Sequence, residues 1–238
     1  MIVGSLPFAH YLAMVRGGWR SLLNDPQVRW FLILAVGLVL LLIWHLMQTG
    51  LGFGEAVRQA SFNGVSIMTG TGYVSANFSA WGGFATTILL IVMFIGGCGG
   101  STTCGIKVFR LQVLASTAKV QISRLLRPHA VVLAYYNKRP VSVEVMDSVM
   151  GFFYLFILGF VLIAIMLGMA GLDFVTALSG AATSISNVGP GLGEVIGADG
   201  NFSTLPDSAK WIMSFAMLLG RLEIFTVLVM LNPAFWQR

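Results

Sequence analysis

Between Ser148 and Met169 the chain runs for 22 residues without one Asp, Glu, Lys or Arg. At 1.5 Å per residue, a helix of that length crosses the roughly 30 Å hydrocarbon core of a bilayer. Three other runs read the same way: Val28 to Gln48, a run beginning at Gly82 and reaching Gly100, and Ala209 to Leu231. Only 10% of the 238 residues are charged, against about a quarter in a soluble domain. The mean hydropathy of +0.86 agrees, so the chain is an integral membrane protein, and its spans are helices.

Charge placement orients it. Of 14 Lys and Arg, ten fall in two segments: Arg16, Arg20 and Arg29, then Lys107, Arg110, Lys119, Arg124, Arg127, Lys138 and Arg139. Positive segments beside spans lie in the cytoplasm, so both are inside, and neither is read as a nucleic-acid surface. The N-terminus lacks the pattern of a cleavable signal peptide. Cys98 and Cys104 are too few for a disulfide framework and lack the partners of a zinc site, so they read as packing residues.

Two shorter apolar segments, Phe53 to Met68 and Leu172 to Ile185, lie between runs whose outer ends share one side. A segment that enters from outside, is too short to cross and returns outside is a re-entrant helix. Irregular backbone at that depth is tolerated where it is buried in protein or lines a watery cavity. Each short helix is followed by such backbone, Thr69-Gly70-Thr71-Gly72-Tyr73 and Ser186-Asn187-Val188-Gly189-Pro190.

The two segments also align. A shift of 117 residues carries Ala60 onto Ala177, Ser66 onto Thr183, Thr69 onto Ser186, Thr71 onto Val188 and Gly72 onto Gly189. Further on the shift is 124, and Met93-Phe94-Ile95-Gly96 falls on Met217-Leu218-Leu219-Gly220. The seven extra residues fit the outer loop around Gly197 to Pro206. The chain is thus two copies of span, pore helix, glycine turn and span, in parallel orientation about an axis along the membrane normal. Its organisation follows: the end of a preceding span plus a basic cytoplasmic segment at 1–27, one pore repeat at 28–127, a cytoplasmic connection at 128–147 and a second repeat at 148–238.

A re-entrant helix points its partially negative C-terminal end toward mid-membrane, which favours a cation there. The turn behind it can aim successive carbonyl oxygens at an ion in place of its hydration shell. Thr69, Gly70, Thr71 and Gly72, with Ser186, Asn187, Val188 and Gly189, are the candidate ion ligands. Taken singly, each glycine also suits an ordinary helix C-cap. Two at one repeat position favour coordination.

These residues, with Phe94-Ile95-Gly96-Gly97-Cys98-Gly99-Gly100-Ser101 and Gly220-Arg221-Leu222-Glu223, resemble the Trk/Ktr/HKT superfamily of potassium transporters, in particular its TrkH-type members. The resemblance covers essentially the whole chain but only the third and fourth of the family's four pore repeats. It implies an all-α, potassium-channel-like pore of which this chain is half. The other half would come from another chain or a second copy. The resemblance further implies potassium as the transported ion with no cofactor, the bacterial inner membrane, a homodimer and a cytosolic nucleotide-binding regulatory subunit. The basic Lys107 to Arg139 stretch would be its docking surface. Channel-like transport and ion-coupled symport both fit, as do a sodium-permeable member and a non-conducting assembly subunit or truncated remnant.

The resemblance also implies a gate where a glycine-rich loop interrupts the span below the turns, at Gly96, Gly97, Gly99, Gly100 and Ser101. Four glycines in five residues each cost a helix roughly 1 kcal/mol relative to Ala. The alternative is close helix packing through Gly96 and Gly100. Arg221 and Glu223 are charges inside the last run. The resemblance puts Arg221 beside the pore facing the loop, repelling cations or holding loop carbonyls; a buried ion pair is the other reading. Asp173 and Glu55 read as helix N-caps, His45 as a satisfied interior histidine, and Lys107 and Lys210 as span-end anchors. No Ser/His/Asp, paired-Asp or metal-binding His set lies on the spans, so an enzyme is not expected.

Overall fold

The structure, a computed structural model, describes residues 1–16, 22, 24–127, 132–137, 139–222 and 224–236. Arg20, Lys138 and Glu223 lie outside the described residues, and so does the sequence expectation that Glu223 pairs with a residue in a neighbouring repeat. A single 3-10 turn (Val3–Ser5) leads into α1 (Phe8–Val15) and then α2 (Pro26–Gln48). Asp25 starts α2: its Oδ1 accepts from Gln27 N at 2.7 Å, and Pro26, lacking an N–H, takes the first helical position. The 23 residues of α2 give roughly 35 Å, a full span.

Next comes α3 (Phe53–Met68), whose 16 residues reach roughly 24 Å and fall short of crossing. The run expected to continue from Gly82 to Gly100 is helical only over α4 (Gly83–Met93) and ends as the glycines begin. Beyond the glycine loop, α5 (Val108–Leu126) occupies much of the basic Lys107 to Arg139 stretch. It buries Val108, Val113 and Val120 and turns Lys119 and Arg124 outward. This amphipathic pattern was masked in sequence by its basic residues. A two-stranded ribbon, β1 (Tyr135–Tyr136) and β2 (Arg139–Pro140), pairs antiparallel.

The second long span, α6 (Val143–Met169), begins five residues before Ser148 because Ser142 caps it and Glu144 favours its positive end. Then α7 (Phe174–Ser186), of 13 residues and roughly 20 Å, is again too short to span. Its N-cap is Asp173, whose Oδ2 accepts from Thr176 N at 3.2 Å. Glu55 does not play the same part for α3. The cap there is Gly52, and exposed Glu55 instead accepts from Gln59.

After the short α8 (Gly193–Ile196) come α9 (Asp207–Arg221) and α10 (Ile224–Leu231). The run Ala209 to Leu231 is therefore not one straight span, because α9 and α10 meet at 104°. No proline or glycine pair marks that break, so the run reads in sequence as continuous.

Each copy has its own core. In the first, Phe31, Ala35, Leu38, Leu42 and Leu46 of α2 pack on Ala56, Ala60 and Ile67 of α3, with Leu89 and Met93 behind. In the second, Phe152, Phe156, Ile163 and Leu167 of α6 pack on Ala177, Ala181 and Ile185 of α7, with Ala209, Met213 and Ala216 of α9. Ala60 and Ala177, paired by the repeat shift, are both buried against a long span. Small residues at these positions let the short helices approach closely, the main source of helix association in lipid.

Candidate functional site

The two glycine turns share one hydrogen-bond plan. Thr71 N donates to Ser66 O at 2.9 Å, and Val188 N donates to Thr183 O at 3.0 Å, the same bond 117 residues on. Gly70 N donates to Ile67 O and Asn187 N to Ser184 O, again matched. Gly70 (φ +62°) and Asn187 (φ +53°) both adopt the left-handed conformation, which Asn tolerates better than other side-chain-bearing residues. Each turn is also tied back to its helix. Asn63 holds Ser75 through Ser75 N to Asn63 Oδ1 (3.0 Å) and Asn63 Nδ2 to Ser75 Oγ (3.0 Å). Ser179 Oγ accepts from Leu192 N at 3.0 Å, and Leu192 is Ser75 shifted by 117.

The turns face one another. A Cβ on Gly72 would lie 2.5 Å from Val188 O and 3.5 Å from Gly189 Cα, so only glycine allows this approach. Thr69 Oγ1 donates to Val65 O (2.7 Å) and shares a bond with Thr71 Oγ1 (2.7 Å). The hydroxyls of Ser66 and Ser186 are buried and find no partner among the described residues. Thr69, Gly70, Thr71 and Asn187 line a cavity of about 570 Å³ into which the C-terminal ends of α3 and α7 open. Those ends carry the partial negative charge of unpaired carbonyls. At the outer rim, Asn77 Nδ2 donates to Asp199 Oδ2 (2.5 Å) and Ser79 Oγ to Gly193 O (3.0 Å), joining the two copies.

The opposite wall of that cavity is the glycine loop, through Thr102, Thr103 and Cys104. Its ends close in a parallel bridge between Ile95 and Ile106, with Gly96 N donating to Ile106 O at 2.9 Å and Ile106 N to Phe94 O at 2.8 Å. A Cβ on Gly96 would fall 2.0 Å from Cys104 O, so the strands meet only at a glycine. Helical packing through Gly96 and Gly100 is thereby excluded, since α4 has already ended. Gly97 N donates to Thr103 Oγ1 (2.8 Å), and Ser101 Oγ to Cys98 O (2.6 Å).

Three outside segments hold the loop. Cys98 N donates to Ser5 O (2.9 Å) and Thr102 Oγ1 to Gly4 O (3.0 Å), both in the first residues of the chain. Gly99 N donates to Gln27 Oε1 at 2.8 Å. From the far side, Arg221 Nη1 donates to Thr102 O (3.0 Å) and Cys104 Sγ (3.2 Å). Burial and the nearby Asp25 carboxylate push the pKa of the Tyr136 phenol, in the ribbon, up to about 12. A second cavity, of about 280 Å³, lies across the loop and is lined by Lys107, Arg110 and Arg221. Lys107 stands at the N-cap of α5, where the glycine loop ends.

His45 Nε2 bonds Trp81 O at 2.8 Å, as a satisfied interior histidine should. Cys98 is buried, and Cys104 accepts from Arg221. Sequence reasoning missed Gln27, Ser5, Asn63 and Ser79. For Asn63 a signal existed: a polar residue on the apolar face of a short helix. For Gln27 and Ser5 there was none, because their contacts span 72 and 93 residues.

A protein-family model described as a cation transport protein, TrkH, matches residues 13–238. Among curated proteins, the Trk system potassium uptake protein TrkI of Halomonas elongata is 45% identical over 239 residues, covering 100% of this chain and 48% of that protein. The Trk system potassium uptake protein TrkH of Escherichia coli K12 is 35% identical, over 92% of this chain and 44% of its own length. The crystal structure of the potassium transporter TrkH from Vibrio parahaemolyticus superposes with a TM-score of 0.91 at 35% identity, over 99% of this chain and 51% of that one. The chain spans about half the length of the curated relatives it matches.

Proposed function

The chain belongs to the TrkH family of cation transport proteins, and from that premise we propose that it supplies two of the four repeats of a potassium-uptake pore. Like these bacterial relatives it is an inner-membrane protein. In this reading Thr69 to Gly72 and Ser186 to Gly189 give half of a ring of carbonyl ligands. Potassium sheds water against that ring and waits in the cavity beneath, where two helix C-termini lower its energy. The remaining repeats come from a second chain or copy, and a homodimer and a cytosolic nucleotide-binding subunit are the partners this reading carries.

The loop is the gate of this proposal. It forms the cavity floor on the ion's path, and Arg221 has two functions there. Its guanidinium grips Thr102 O and Cys104 Sγ, and its charge opposes a cation moving past. Release of that grip lets the loop move aside.

The observation that carries the reading is the apposition of two turns with one hydrogen-bond plan above a single cavity and loop. Rubidium flux into vesicles tests it. The chain reconstituted with a polypeptide supplying two further repeats should conduct rubidium in preference to sodium. Equal sodium and rubidium flux would favour a sodium-permeable transporter, and no flux with any partner half would leave a scaffold.

A further inference from the structure

Asn187 occupies a left-handed bend, with φ at +53°, that glycine would hold at lower cost. Gly70 fills the matching position of the first turn with no side chain at all. What glycine cannot supply is the amide: Asn187 Nδ2 donates to Met217 O of α9 at 3.1 Å. A carbonyl oxygen accepts two bonds, so α9 continues through this point to Arg221. The approach is close. A Cβ on Gly220 would overlap Ile185 O and lie 2.9 Å from Asn187 Nδ2, so α9 meets the end of α7 only at a glycine, although glycine weakens a helix.

One residue on, Arg221 Nη1 holds Thr102 O and Cys104 Sγ of the loop. Met217 and Arg221 are one helical turn apart on one face of α9, about 6 Å along its axis. The last turn of α9 thus carries two attachments, one to the second glycine turn and one to the loop. The first copy is built differently at this place. By the shift of 124, Met217 falls on Met93 and Gly220 on Gly96, but α4 ends at Met93 and Gly96 already belongs to the loop.

We infer that Asn187 is a positioning residue whose side chain ties the second turn to the gate through α9. The inference rests on the proposed reading of the turns as ion ligands and the loop as gate. While Arg221 grips the loop, the last turn of α9 is held from both sides and the carbonyls of the second turn keep their aim. Once the grip is released that end of α9 slackens, and the tie passes the change to Asn187 and Val188. The ion is then bound most tightly while its exit is shut and let go as the exit opens. Linkage is reciprocal, so loosening the turn also loosens the loop. The tie is a neutral hydrogen bond, weaker than the charge-assisted grip of Arg221, and it limits the effect to about fivefold.

Amide hydrogen exchange of the full chain in detergent tests the tie in both directions. Asn187→Gly keeps the left-handed backbone, as Gly70 does, and removes only the amide. It should raise exchange about fivefold at Gly97 and Thr102, whose N–H groups bond Thr103 Oγ1 and Gly4 O. Arg221→Gln should raise exchange at Val188 and Gly189 by a like factor, and should add nothing where Asn187→Gly is already present. Asp173→Ala weakens α7 at its other end, so it controls for general destabilisation and should leave the loop unchanged. In vesicles with the missing repeats supplied, the half-saturating rubidium concentration should rise about fivefold in Arg221→Gln and no further in the double variant. Independent responses of turn and loop overturn the inference, and so does a loop loosened equally by Asp173→Ala. Exchange is read without conduction, so a failed tie is distinguishable from a pore that shows no rubidium preference.

Discussion

Substituting Gly72 by alanine separates the geometry of the turns from ordinary backbone strain. Its φ of +76° costs a Cβ-bearing residue about 1–2 kcal/mol by itself. The new methyl would also lie 2.5 Å from Val188 O, where ordinary contact starts at 3.4 Å, so the turns must part by roughly 0.9 Å. Gly50 provides the control: its φ is +92°, yet a Cβ there meets nothing within 4 Å. Gly70 is intermediate, at φ +62° with Asn187 O 3.6 Å from the added atom. If these carbonyls coordinate potassium, Gly72→Ala loses at least about tenfold of the rubidium-over-sodium flux ratio, equivalent to ~1.4 kcal/mol of discrimination. Gly50→Ala keeps the ratio and loses only stability, and Gly70→Ala falls between. The assay is paired rubidium and sodium uptake into vesicles with the missing repeats present. A wild-type ratio in Gly72→Ala refutes the argument, because the closest contact between the turns would then have no bearing on the ion.

Arg221→Gln removes the charge on the loop and weakens charge-assisted bonds worth about 1.5–3 kcal/mol, so basal leak should rise at least tenfold; an unchanged leak removes Arg221 from the gate. Gln27→Leu leaves Gly99 N without its acceptor and should speed hydrogen exchange at Gly99 and Cys98 without altering α2, which Asp25 still caps. Unaltered exchange there would mean the loop does not depend on Gln27. Asp173→Ala should lower stability by about 0.5–1 kcal/mol through loss of the α7 cap. The Asp173 carboxyl is held below its usual range by its bond to Thr176, so this contribution is present at neutral pH. It fades as pH falls through the depressed value, and wild type and variant should converge in acid melts.

The repeat was legible because it rests on backbone needs that few residues meet. Gly72 and Gly189 align in sequence, and so do the short helices before them. Gly70 and Asn187 are equally matched in conformation, but two different residues satisfy the same left-handed position, so identity concealed the correspondence. The loop was legible from its glycine density, while its fastening by Ser5 and Gln27 was not, since those bonds join segments far apart in sequence. Helix α5 was hidden by its charges: the basic residues that signalled cytoplasm also broke up the apolar pattern. The bend between α9 and α10 left no trace at all, because Leu222 and its neighbours suit an unbroken helix as well as a kinked one.

The rim bonds from Asn77 to Asp199 and from Ser79 to Gly193 bear on how fast such a molecule can cycle. They lash the rim ends of both bundles together, each at about 1 kcal/mol, so clamshell rocking of one half against the other must first tear them. Under the proposed gate, access then alternates by displacement of the short Phe94 to Lys107 loop alone. Loops of that size rearrange in nanoseconds to microseconds, whereas whole bundles need microseconds to milliseconds. Throughput nearer that of a channel than of a rocking carrier is the corollary.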